Sequence, residues 1–195
     1  MSNVSSEIIN SIQLSKIIVV LVIEDDSKAS DLIDCLYDSG IKNYEIALRT
    51  NNSRKSADII SKKGLDINLG IGTVLTTDDV NFAVDIGANF ALAPGTNKTV
   101  IDEANRLNLP FFPGVCTPSD IEKANELGCS VLKFFPAEPC GGINYFKSMI
   151  SPYTHLGLKF ISLGGINLDN ISNYIENQHL LLIQYNVEYQ KFMLN

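Results

Sequence analysis

The sequence predicts a (β/α)8 barrel, on three observations. Eight short apolar or β-branched runs recur along the 195 residues, and stretches of helical period lie between them. Several of those stretches open on a Ser or Thr cap and close on glycine, as crossover helices do. No G-x-G-x-x-G follows the first run and no Walker A loop is present, so the rival architecture, an open doubly wound sheet, lacks its nucleotide signature. Strands alternating with helices make a parallel sheet with right-handed crossovers. A count of eight in a short chain favours closure into a barrel.

The elements follow in order. Residues 4–14 predict an extra helix beneath the barrel, before strand one at 17–23, "IIVVLVI". "SKASDLIDCLYDSG" (27–40) opens on Ser27 and closes on Gly40. Strand two is 43–48, followed by a helix over 52–64 that closes on Gly64. Strand three is 67–72, and the helix over 76–87 opens on Thr76 or Thr77 with acidic residues behind it. Strands four and five are 89–93 and 109–113. The helix over 117–128 carries Thr117 as cap, Pro118 at its first position and Gly128 at its end. Strands six, seven and eight are 130–135, 159–163 and 180–184. After strand eight stands "YNVEYQKFMLN", a short stretch where a full helix would close the barrel, so a truncated last helix is expected. The whole of 1–195 reads as a single domain.

Composition narrows the function. Hydrophobic residues make up 45% and the net charge is −7, without a basic run or stripe, which argues against a nucleic-acid partner. The longest apolar run is far too short to span a bilayer. The N-terminus carries Glu7 and no basic region of the signal-peptide kind, so no membrane association is expected. Cys35, Cys116, Cys129 and Cys140 form no C-x-x-C pair and no metal-type spacing with His155 or His179. They read as reduced thiols of a cytoplasmic protein without a metal.

The chemistry centres on "SVLKFFPAEP" (130–139), where Lys133 interrupts an apolar run. Burying an ammonium is costly, and the group tends to give up its proton. Alternation places Val131, Lys133 and Phe135 on one face and Leu132 and Phe134 on the other. The purely apolar face suits the helix layer, so Lys133 points into the barrel near its upper rim. The same parity in "YEIALRT" aims Glu45, Ala47 and Arg49 inward. Thr73 and Pro94 end strands three and four on that rim, where barrel active sites form. The plain alternative is a structural Glu45–Lys133 ion pair, or a lysine snorkelling to the surface. Cys116 reads as a small buried hydrophobe, and His155 and His179 as loop residues without a role.

A neutral lysine amine attacks a carbonyl, and the iminium it forms is an electron sink that lets an adjacent carbon–carbon bond break. With a free pKa near 10.4, only about 0.1% of a lysine is neutral at pH 7.4. Burial and a neighbouring Arg49 would raise that fraction, and a nearby Glu would shuttle the protons.

"YEIALRT", "GIGTVLT", "FALAPG", "FFPGVCTPSDI" and "LKFFPAEPCGG" together closely resemble the KDPG/KHG aldolase family, over roughly residues 5 to 178. The resemblance implies a TIM barrel, metal-independent class I chemistry without a cofactor, and a homotrimer. It implies Lys133 as the Schiff-base lysine and Glu45 as general acid/base. Arg49 and Thr73 match positions for the substrate carboxylate, and Pro94 and Phe135 match pocket-lining positions. Where the family carries P-T-G-G the chain reads "SLGG", with Leu163 in place of a threonine. Gly164 and Gly165 remain, with amides expected to bind an anion at the following helix start. A G-G-S type turn after strand eight is replaced by Gln184, Tyr185 and Asn186, so half the phosphate cradle is expected to be missing.

The expected activity is cleavage of 2-keto-3-deoxy-6-phosphogluconate (KDPG) to pyruvate and glyceraldehyde 3-phosphate. Cleavage of 4-hydroxy-2-oxoglutarate is the alternative that the altered 184–186 segment favours. A catalytically weakened barrel that only binds a keto acid, or serves as a subunit, is the alternative from another class.

Overall fold

A computed structural model describes residues 3–175, 177 and 180–188, with side chains placed for 8–175, 177 and 180. The chain begins with helix α1 (Asn3–Ser15) and strand β1 (Ile17–Val22). It then alternates α2 (Ala29–Asp38), β2 (Asn43–Ala47), α3 (Ser53–Ser61), β3 (Asn68–Gly72), α4 (Thr77–Asp85), β4 (Phe90–Leu92) and α5 (Lys98–Arg106). Two short strands follow, β5 (Phe111–Phe112) and β6 (Gly114–Val115), then α6 (Pro118–Glu126), β7 (Val131–Phe134) and α7 (Gly142–Ile150). The described part closes with β8 (Lys159–Ser162), α8 (Ser172–Ile175) and β9 (Leu180–Glu188).

All the pairings are parallel, in the order β5-β4-β3-β2-β1-β9-β8-β7-β6. The two ends of that order, β5 and β6, are consecutive pieces of one strand separated only by Pro113. The sheet therefore meets itself and forms a barrel, which excludes the open doubly wound sheet. The break has a simple cause. Proline has no N–H to donate to a ladder, so β5 pairs with β4 on one side of it and β6 with β7 on the other.

Helices α4 and α6 begin where the sequence indicates. Thr76 and Thr117 each accept from the backbone N–H three residues on, and Asp79 and Asp120 return the bond as capping boxes. Helices α5, α7 and α8 are additions to the expected set. Asn97 caps α5 by accepting from Thr99 N–H, but after its end at Arg106 Asn108 takes the left-handed conformation that Gly87 and Gly128 take after α4 and α6. Helix α7 has no side-chain cap and starts from Gly141 in the left-handed region, φ 111°.

The barrel interior divides into two layers. The lower one joins Ile18, Phe90, Leu92, Phe112, Val131 and Ile161 to Ile8 and Ile12 of α1, so α1 closes the bottom as expected. The upper one is Val20, Ala47 and Leu163, with Val22 and Phe135 against them. Tyr44, Ile46, Leu132 and Phe134 face outward into the larger cluster beneath the helices. The inward and outward alternation inferred for β2 and β7 is the one observed.

The expectation for strand eight is corrected. It continues past Gln184 to Glu188, and β1 pairs with it from Ile17↔Ile183 to Val22↔Glu188. Gln184, Tyr185 and Asn186 lie inside a strand rather than in a turn. The six residues of β1 present backbone groups along their whole length, and buried N–H and C=O groups demand partners. The expected truncated last helix falls on residues 189–195, outside the described residues, as does His179.

Candidate active site

Glu45 on β2 and Lys133 on β7 face each other across the upper interior. Lys133 Nζ lies 3.6 Å from Glu45 Oε1, and their side chains are 3% and 0% exposed. Glu45 is set between Val20 of β1 and Gly70 of β3, and Lys133 between Gly114 of β6 and Ile161 of β8. Burial pushes the Lys133 amine below its ordinary pKa of 10.5; Glu45 opposes this and Arg49 reinforces it. Phe135 offers its ring face, with the centroid 5.4 Å from Lys133 Nζ.

Arg49 and Thr73 meet at the rim, where Arg49 Nε donates to Thr73 Oγ1 at 3.0 Å. Thr73 holds φ 59°, a left-handed conformation that a β-branched residue adopts only under constraint. Its neighbours supply that constraint: Leu48 N–H donates to Gly72 O and Val74 N–H to Leu92 O. Arg49 is exposed, free to meet an anion from solvent, and Pro94 is exposed on the same rim after β4. The structure thus brings Lys133, Glu45 and Phe135 together inside the barrel and sets Arg49, Thr73 and Pro94 around its mouth.

Gly164 and Gly165 follow β8 at the same end, with φ 108° and 78°, conformations that glycine adopts without strain. A methyl group on Gly165 would lie 2.6 Å from Glu138 Cβ, so the loops after β7 and β8 touch directly. The expectation that these glycines open a helix is corrected. Helix α8 begins only at Ser172 and spans four residues, because Asn167 and Asn170 bond each other's neighbourhood into a turn first. Asn170 Nδ2 also donates to Gly165 O at 3.1 Å.

Sequence reasoning missed Gly72. A methyl group there would stand 1.7 Å from Glu45 Oε1, so the glycine leaves the space that the carboxylate occupies. The only trace in the sequence is "GIGT", which is too short for a phosphate loop and reads as nothing by itself. Cys116 behaves as a packed thiol: burial first, then the neighbouring Cys140 thiol, pushes its pKa up to about 11. His155 is exposed in a 3-10 segment at Ser151–Leu156, away from these groups in the sequence and without an assigned role.

Comparisons with known proteins identify the family. The family model described as KDPG and KHG aldolase matches residues 8–187. The 2-dehydro-3-deoxy-phosphogluconate aldolase of Haemophilus influenzae is 34% identical over 175 residues, covering 90% of this chain and 82% of the relative. The enzyme of the same name from Treponema pallidum is 33% identical over 174 residues, 89% of this chain and 82% of the relative. Among solved structures, the 2-keto-3-deoxy-6-phosphogluconate aldolase of Zymomonas mobilis with 3-phosphoglycerate superposes with TM-score 0.83 at 30% identity, covering 91% of this chain and 84% of that one. The KDPG aldolase of Legionella pneumophila, with pyruvate captured as a covalent carbinolamine intermediate, superposes with TM-score 0.85 at 28% identity, covering 90% and 85%. Among the described residues no helix is long and apolar enough to cross a membrane.

Proposed function

The chain belongs to the KDPG/KHG aldolase family, and from that premise we propose that it cleaves KDPG to pyruvate and glyceraldehyde 3-phosphate through an imine on Lys133. The observation that carries this reading is the buried Lys133 amine 3.6 Å from the buried Glu45 carboxylate. Arg49 pairs with the substrate carboxylate at the rim, beside Thr73. Lys133 Nζ adds to the C2 carbonyl, and loss of water from the carbinolamine gives the iminium. Glu45, through a water, takes the proton of the C4 hydroxyl as the C3–C4 bond breaks. The bonding electrons pass into the iminium and form an enamine, and the aldehyde leaves. Protonation at C3 and hydrolysis then release pyruvate and restore the amine. Pro94 and Phe135 line the pocket, and the amides at Gly164 and Gly165 receive the phosphate.

The relative captured with covalent pyruvate supports the imine, and the relative bearing 3-phosphoglycerate supports a phosphate-tolerant site. The case for 4-hydroxy-2-oxoglutarate rested on a lost turn at 184–186, and those residues lie within β9. Both curated relatives described above carry the KDPG name. The assembly we propose is a homotrimer acting in the cytoplasm, for which the family is the support. Light scattering should give about three times the chain mass of 21.4 kDa. A monodisperse monomer would overturn the trimer.

Borohydride reduction in the presence of pyruvate tests the imine. One lysine should gain a reduced pyruvyl group, and peptide mapping should place it at Lys133. Lys133→Ala should lose both label and turnover. Labelling at another lysine, or none on folded protein, would sink the proposal.

A further inference from the structure

We infer that Glu138 and Tyr174 are positioning residues that hold the Gly164–Gly165 segment in register with the Lys133 strand and so set the affinity for the substrate phosphate. The inference rests on the aldolase reading above and adds two residues to it.

The β7–β8 ladder ends at Phe134↔Ser162, yet the two chains stay joined beyond it. Ala137 N–H donates to Leu163 O and Glu138 N–H to Gly164 O, both at 2.8 Å. Asn170 Nδ2 takes up Gly165 O. In a trans peptide the N–H of the next residue points opposite to the carbonyl. The carbonyls of Leu163 and Gly164 turn toward the loop that follows Lys133, so the amides of Gly164 and Gly165 turn away from it. Two carbonyls held on one side leave the N–H groups of Gly164 and Gly165 aimed at the other, the arrangement an anion requires.

Glu138 fixes that orientation, and its own position is fixed in turn by Tyr174. The Tyr174 hydroxyl donates to Glu138 Oε1 in a short contact, from a ring that is fully buried in the core under α8. Gly142 closes the loop behind them: Gly142 N–H donates to Ala137 O at 3.0 Å, and a methyl group there would stand 2.9 Å from Glu138 Oε1. The carboxylate of this exposed residue is thereby held at Oε1 by a tyrosine from the core. A chain that needed only to bury a tyrosine could satisfy its hydroxyl on any carbonyl. Here the partner is the residue whose backbone holds Gly164.

The test compares Tyr174→Phe, Glu138→Ala and Glu138→Gln with the parent enzyme on KDPG, on its dephosphorylated analogue, and in pyruvate–borohydride trapping. Tyr174→Phe and Glu138→Ala should raise KM for KDPG about tenfold, or ~1.4 kcal/mol, with kcat little changed. Trapping and kcat/KM for the dephosphorylated analogue should stay at the parent level. Glu138→Gln keeps an acceptor for Tyr174 and should restore the parent KM. Unchanged KM in both Tyr174→Phe and Glu138→Ala, or equal losses on both substrates, would overturn the inference while parental trapping leaves the aldolase reading standing. A parent enzyme that traps no pyruvate sinks that reading and this inference with it.

Discussion

Gly72 and Glu45 occupy one space between them: the glycine's missing side chain is where the carboxylate oxygen lies, 1.7 Å from the position a methyl group would take. Glu45 stands one strand away on β2, where its neighbour across the ladder is Gly70 and that of Ala47 is Gly72. The backbone of β3 therefore supports the carboxylate directly. Gly72→Ala should push Glu45 away from Lys133 and lower kcat by about 10²–10⁴, the range associated with losing a general acid/base. Circular dichroism should be close to that of the parent. Retained activity would mean that Glu45 tolerates displacement and is not the proton shuttle.

Glu45→Gln keeps the shape and removes the base. The expected loss is again about 10²–10⁴ in kcat. Incubation with EDTA should leave the parent rate unchanged, since an imine supplies the electron sink. Loss of rate in EDTA that a divalent cation restores would contradict the imine mechanism.

The pH dependence has a fixed sign. Burial lowers the Lys133 pKa below 10.5, Glu45 raises it and Arg49 lowers it. Trapping by pyruvate and borohydride should rise with pH through a midpoint below 10.5, because the neutral amine is the nucleophile. In Glu45→Gln that midpoint should move lower still, since a counter-charge is removed. The stability linkage runs the same way. Between the lowered pKa and the ordinary one, the unfolded chain holds a proton that the folded chain has released, so this residue's contribution to unfolding free energy rises with pH in that window. A midpoint that climbs in Glu45→Gln would show that Glu45 is not the counter-charge that holds the Lys133 pKa up.

Stability and catalysis separate along the barrel axis. At the bottom, fully buried Asn43 donates through Nδ2 to Ser15 Oγ at 2.6 Å and accepts through Oδ1 from Asn68 Nδ2 at 2.7 Å. Asn68 also donates to Ser11 Oγ at 2.8 Å, so the amides fasten α1 to β2 and β3. Asn43→Ala removes the bonds to Ser15 and Asn68, each worth about 0.5–1.5 kcal/mol net, and should cost about 1–3 kcal/mol by denaturant unfolding. Its kcat should match the parent, because the network lies at the end of the barrel away from Lys133. A large loss of kcat in a folded Asn43→Ala enzyme would show coupling between the two ends.

What could be read from the chain alone was whatever has a local period or a local signal. Alternation decided that Lys133 and Glu45 face inward and that Leu132, Phe134, Tyr44 and Ile46 face the helices, because neighbouring Cβ atoms on a strand point to opposite sides. Thr76 or Thr77 and Thr117 marked helix starts because a threonine is a preferred cap, with acidic residues behind the first and Pro118 behind the second, and the structure adds the returning bonds of Asp79 and Asp120. Helix α7 escaped notice because Gly141 offers no side-chain cap. The tertiary structure alone decided the rest. How far β9 runs depends on the length of β1 beside it, and the break at Pro113 depends on which neighbour each half of the strand meets. That Gly72 accommodates Glu45, that Asn43 reaches Asn68, and that Tyr174 holds Glu138 are all matters of cross-strand register and loop contact. Such contacts join residues 25 to 36 positions apart, and no period within one segment encodes which of them will meet.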